Sequence, residues 1–141
     1  MTRKYRTSKG GHTQVQSYVK RSSELWRYAL EAHEHGHFDA CAVNAIHSCI
    51  SLADAACIAH GGSRYSGTSH DEAVQYFHDL HISDENFKRA CRRFGQMIGE
   101  KTTAEYGERN LSQKEAESIY KNGERFREYL FSTILSGFRP I

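Results

Sequence analysis

Four cysteines and a single proline are all that the 141-residue chain holds of either type. Cys41, Cys49, Cys57 and Cys91 form no C-x-x-C pair and follow no secretory apolar segment. That spacing argues against a disulfide scaffold or a thiolate metal site, and for reduced thiols in a cytoplasmic protein. Long apolar runs are missing as well. The longest mainly apolar stretch, residues 40–59, is broken by Asn44, His47, Ser48, Ser51 and Asp54, which argues against a membrane span. No Walker loop, G-x-G-x-x-G or G-x-S-x-G occurs, so ATPase, dinucleotide-binding and serine-hydrolase readings receive no support. Strand-like alternation, hairpin turn pairs and internal repeats are absent too.

What is present is the composition of one ordinary domain, with 38% hydrophobic and 26% charged residues. At this length roughly two-thirds of the unfolded surface can be buried, so a core forms without staples. The net charge of +2 conceals an asymmetry. Arg3, Lys4, Arg6, Lys9, Lys20 and Arg21 stand in residues 1–21 without an acid, and the remainder carries 13 bases against 17 acids. Residues 1–14 therefore read as a basic, flexible arm of the kind that meets phosphate backbones, and 15–141 as a single domain.

Past the arm the apolar spacing is helical. Tyr18, Ser22, Leu25, Trp26, Ala29 and Ala32 share a face of a first helix over about 16–35, which Gly36 ends. A second helix runs from Phe38 to about His60, stopped by Gly61 and Gly62. The glycine- and serine-rich stretch 61–68 reads as a loop. Ser69 and Glu72 form a capping box before a short third helix to about Leu80. Ser83 or Asp84 caps a fourth, with Phe87, Ala90, Cys91, Phe94, Met97 and Ile98 as its core face, fraying after Lys101. A second box, Ser112 and Glu115, opens a last helix lined by Ala116, Ile119, Gly123, Phe126, Leu130 and Ile134 that lasts to about Ser136. The expectation is an all-α, up-and-down bundle of four to five helices.

The second helix is unusual. Ala42, Ile46, Cys49, Ile50, Ala53 and Cys57 occupy one side, while Asn44, His47, Ser48, Ser51 and Asp54 fall on the other. These polar residues are small, uncharged or titratable, unlike the Lys and Glu of a solvated face. Two readings stay open: the stripe lines a ligand groove, or its members satisfy one another and nearby backbone at a packed interface.

The order "FDACAVNAIHSCISLADAACIAHG", "HDEAVQYF" and "AEYGERNLSQKEAESIYKNGERFREYL" resembles the HEPN superfamily over about residues 15–135. That resemblance implies a helical bundle, usually a homodimer. It implies binding of RNA or a nucleotide, metal-independent RNA cleavage in some members, or service as a nucleotidyltransferase partner in toxin–antitoxin or defence pairs. Nuclease members carry an arginine, four to six intervening residues and a histidine at the entrance to a late helix. Here that region reads "GEKTTAEYGERN", with Lys101, Tyr106 and Arg109 but no histidine. The spacing occurs from Arg64 to His70, before the third helix.

Metal-independent cleavage needs a base near neutral pKa, a cation for the phosphorane and an acid for the leaving oxygen. His47 or His70 would supply the base, and Arg64, Lys101 or Arg109 the cation. Alternatively Tyr106 stacks a base and Arg109 grips a phosphate, giving binding without cleavage. His33, His35, His37 and Asp39 crowd the first turn, but their alternate spacing does not match the i, i+4 pattern of a helical zinc site, so no metal is expected. The expectation is a cofactor-free, non-catalytic RNA or nucleotide binder whose groove uses Asn44, His47, Ser51, Asp54, Lys101, Tyr106 and Arg109. An interaction module for a nucleotidyltransferase and a ribonuclease using His47, Arg64 and His70 are the alternatives.

Overall fold

Residues 4–140 are described in the structure, a computed structural model of the chain. In order they form β1 (Thr7–Lys9), α1 (His12–Glu34), α2 (Phe38–Gly61), β2 (Ser63–Tyr65), α3 (His70–His78), α4 (Glu85–Gly99), α5 (Lys101–Tyr106), α6 (Gln113–Ser132) and a 3-10 turn at Ser136–Phe138. The architecture is the all-α bundle that the periodicity predicts, with one small antiparallel sheet added.

Helix α2 is the axis of the bundle. Helices α1, α5 and α6 and strand β2 all pack against it. Alanines 42, 45, 53, 55 and 56 are buried with Cys41, Cys49 and Cys57, and their small side chains let the neighbours approach. The helix is long and apolar enough to cross a membrane, yet 72% of its most apolar window is buried inside the bundle, as in the core helix of a soluble protein. Glycine breaks the chain on either side of it: Gly36, in the turn after α1, and Gly62, its C-cap, take φ of 69° and 83°, conformations that disfavour other residues, and the Gly62 N–H closes the helix on the Ile58 carbonyl at 2.8 Å.

Helices α3, α4 and α6 carry the aromatic half of the core. Phe94 stacks on Phe126 at 5.2 Å between ring centres, and Phe77 lies 5.3–5.5 Å from Phe87, Phe94 and Phe126. The six positions read as the core face of α4 are all buried. On α6, Gly123 is set by close approach: a Cβ there would come within 2.9 Å of the Trp26 ring and 3.2 Å of Met97. Four free cysteines, all buried, fill space in this core.

Several boundaries differ from the sequence reading. The basic arm over 1–14 does not behave as a flexible tail within the described residues. Thr7–Lys9 pairs antiparallel with Ser63–Tyr65, and α1 already begins at His12. Tyr5 packs edge-on against Tyr76 at 5.1 Å and donates a 2.7 Å hydrogen bond to Asp79, so the segment is anchored by packing as well as by its ladder. Arg3 lies outside the described residues. The second strand occupies the stretch read as a loop. The box at Ser112 and Glu115 is complete, whereas at α3 only Ser69 caps; the Glu72 carboxylate accepts from the Tyr65 hydroxyl at 3.0 Å instead. Fraying after Lys101 resolves into the separate short α5, and α6 stops at Ser132, where Thr133 leaves helical geometry.

Candidate functional site

A cavity of about 380 Å³ opens between α2, the β2–α3 connection, α3, α4 and the start of α5. Its volume lies in the range of small-molecule sites. Ile50, Ala53, Cys57, Phe77, Phe94 and Ile98 supply apolar wall, and Asp54, Arg64, Tyr65, His70, Tyr76 and Lys101 supply the polar groups.

The connection from β2 to α3 is held in place by one side chain. The Tyr65 hydroxyl accepts from the Ser69 amide at 2.9 Å while donating to Glu72 at 3.0 Å. The ring passes so close to Gly67 that a Cβ there would lie 2.3 Å from the hydroxyl oxygen. Ser63 and Tyr76 hydroxyls meet at 2.8 Å, tying β2 to α3. Arg64 leans over Tyr18 at 5.4 Å and donates to the Tyr65 carbonyl at 3.2 Å. The cation is thereby held at the cavity by its own strand and by a ring of α1.

Asp54 is the anomaly of the site. It is partly buried, lines the cavity, and makes no hydrogen bond or ion pair among the described residues. Burial pushes its carboxyl up to about 7, against the opposing pull of Arg64 and Arg21. Burial also raises the Cys57 thiol, which stays protonated beside it.

At the mouth, Lys101 pairs with Glu105 at 3.2 Å, and the same carboxylate meets His47 Nε2 in a close contact. Partial burial works to raise Glu105, but the hydrogen bonds from Lys101 and His47 win and hold it below its ordinary value. The His47–Glu105 contact thus links α2 to α5, with Lys101 shared between Glu105 and the cavity.

The polar stripe of α2 divides. Asp54 goes to the cavity and His47 to Glu105, while Asn44 donates to the Ala40 carbonyl of its own helix at 2.8 Å. Ser51 is buried and does not line the cavity. Ser48 turns toward α1, where its hydroxyl and that of Ser22 receive the Arg127 guanidinium at 3.1 and 2.6 Å. Arg127 also lies over Trp26 at 5.0 Å and Phe131 at 5.4 Å, and burial lowers its pKa. Of the late residues, Lys101 alone reaches the cavity. Tyr106 is 78% exposed, and Arg109 makes a two-pronged bond of 2.7 and 2.8 Å to Glu115 at the start of α6.

The turn histidines are engaged separately. His33 stacks on Tyr120 and bonds Glu117, His35 meets the Glu31 carbonyl, and Asp39 accepts from Asn110 and the Leu111 amide. Among the described residues no three metal-type ligands come together. Tyr65 and Tyr76 are site residues that sequence reasoning missed; an aromatic residue within a glycine-rich stretch next to a basic one was the available signal. The chain matches no protein-family model and no curated relative.

Proposed function

We propose that this chain is a HEPN-like cytoplasmic domain, working as a homodimer, that holds a nucleotide or one unit of single-stranded RNA in the cavity without cleaving it. The observation that carries this reading is the convergence of Arg64, His70 and Lys101 on a cavity with apolar and aromatic walls. A base needs apolar surface and ring faces, and its phosphate needs cations. The basic strand β1, flanked by Arg6 and ending at Lys9, pairs with the β2 strand that carries Arg64, and a longer RNA would continue along it.

Calorimetric titration with nucleoside monophosphates and short single-stranded RNA tests the reading. Binding should weaken by about tenfold or more in Arg64→Ala and in Lys101→Ala, the loss expected when a charged hydrogen bond is removed. RNA affinity should fall steeply with added salt, and Arg6→Ser with Lys9→Ser should flatten that slope without disturbing α1. Absence of binding by every nucleotide and RNA at millimolar concentration would end the proposal and leave a protein-interaction module.

A cleaving alternative draws support from one observation, that Arg64 and His70, which have the spacing of the family's nuclease pair, line the same cavity. Incubation of RNA with wild type in excess chelator, beside His47→Ala and His70→Ala, decides between them. Intact RNA in every lane is the expected result. Cleavage lost in either variant would make the protein a metal-independent ribonuclease.

A further inference from the structure

Two cations, Arg64 and Lys101, and the His70 imidazole line the cavity, and phosphate accounts for them; Asp54 is the group that phosphate does not explain. An acid placed beside cations that are meant for an anionic ligand works against binding unless it meets a different part of that ligand. Ile50 and Ala53 beside it in the cavity wall carry no donor, the Cys57 thiol is a weak one, and Arg64 acts on it without a hydrogen bond, so that it has no hydrogen-bond partner among the described residues. Its oxygens are therefore open to donors from whatever fills the space, and a ligand that displaces water there has to supply them.

A carboxylate presents two acceptor oxygens side by side. Among the common nucleobases, guanine alone offers two adjacent donors on one edge, the N1–H and the 2-amino group. Adenine and cytosine offer one amino group beside an acceptor nitrogen, and that acceptor would face the carboxylate. Uracil places its single N–H between two carbonyls. We infer that the base held in this cavity is guanine, with Asp54 accepting from N1–H and the 2-amino group while Arg64, His70 and Lys101 face the phosphate. Tyr65 and Tyr76 then flank the ring. This assignment rests on the nucleotide reading of the cavity and adds the identity of the base.

The Asp54 carboxyl, raised by burial to about 7, is ionised when measurements are made at pH 8, so that both oxygens accept. Titration of the full chain with guanosine, inosine, adenosine and xanthosine monophosphates tests the assignment. Guanosine monophosphate should bind best. The inosine compound, which lacks the 2-amino group, should bind about tenfold or more weakly, the loss expected for one hydrogen bond to a charged group. Asp54→Asn keeps the shape but turns one acceptor into a donor. That variant should lose guanosine monophosphate by about tenfold or more and gain xanthosine monophosphate, whose C2 carbonyl now finds the amide N–H. A gain cannot arise from unfolding, so the exchange of preference is the decisive readout. Equal binding of guanosine and adenosine monophosphates to wild type, unchanged in Asp54→Asn, would overturn the guanine assignment and leave nucleotide binding intact. Binding of none of the four would overturn both.

Discussion

Arg127 and Asp54 both carry a charged group into the bundle, yet Arg127 meets two serine hydroxyls and two ring faces, whereas Asp54 meets no hydrogen-bond partner among the described residues. Protein dipoles replace water around the guanidinium. Ser22 and Ser48, both 0% exposed, are themselves bonded at 3.0 Å, and Ser48 donates to the Ser22 carbonyl at 2.7 Å. Nothing comparable surrounds the carboxyl, which responds by holding its proton to near neutrality. A satisfied buried charge that joins α1, α2 and α6 belongs to the framework. A frustrated one beside open space is the mark of a binding site, where stability is given up for a ligand contact.

The largest effect that sharpens this contrast is on the framework side. Replacing Ser22 and Ser48 together by alanine leaves the guanidinium buried without acceptors and should destabilise the fold by about 3–5 kcal/mol, read as a shift in urea midpoint. Adding Arg127→Met in the same chain should restore most of that loss, because the stranded charge goes with it. If the triple variant is no more stable than the double, the cation is not what the serines serve.

Asp54→Asn should act in the opposite direction. Its folded carboxyl titrates near 7 against an ordinary value of 3.8, so between those values the folded state holds the extra proton and stability declines as pH rises. At pH 8 the wild type bears the whole penalty, and the variant should be more stable by up to about 4 kcal/mol, three pKa units converted to energy. The advantage should fade toward pH 4, where both side chains are neutral. Thermal unfolding of the two proteins across that window checks it, and equal stability at pH 8 would remove the frustration on which the comparison stands.

Glu105 lies between the two cases, since it is mostly buried but bonded to Lys101 and His47. Its folded pKa is depressed, so its stabilisation is present above the ordinary 4.5 and is lost as pH falls through the folded value. Glu105→Gln should cost about 1–2 kcal/mol at pH 7 in chemical denaturation, and less in acid. The same change frees Lys101 for a phosphate and should tighten nucleotide binding about fivefold, so stability and affinity move apart. A loss of affinity instead would mean that the carboxylate positions Lys101 for the ligand.

Why the framework charge escaped sequence reading follows from distance along the chain. Arg127 follows the core residue Phe126 on an amphipathic helix, where an arginine ordinarily faces water, and its serines lie 79 and 105 residues away. No local pattern encodes that meeting. Helix α4, by contrast, was legible residue by residue, because its apolar face is sharply set off and Asp84 caps it from two residues away. The β1–β2 pairing has three residues a side, too few for alternation to register, and a basic, glycine-bearing stretch reads as solvated. Within the candidate site, Asp54 follows from the polar stripe of α2 and Arg64, His70 and Lys101 from the resemblance, and the four line one cavity. His47 adjoins it through Glu105. The polar face of α2 read as one stripe because helical angle alone does not say which neighbour covers each sector.

Tyr106 and Arg109 give the smallest expected effect and the cleanest separation of the cavity from the segment that follows it. Both were drawn into the groove by their place in the chain, but the α5 helix ends at Tyr106, and Gly107 turns the backbone into extended geometry toward α6. Arg109 then finds Glu115, whose carboxyl is held near 2 by that guanidinium and by the Ser112 amide and hydroxyl. A guanidinium with both prongs occupied has little to offer a phosphate. Tyr106→Ala and Arg109→Ala should therefore leave mononucleotide affinity within about twofold of wild type, well under the tenfold expected for Arg64→Ala. An equal loss at Arg109 in the same titration would move the anion site to the start of α6 and leave the Asp54 cavity without its ligand. Loss confined to longer RNA would instead trace the path of a strand leaving the cavity across α5, with Tyr106 as a stacking platform beyond the first base.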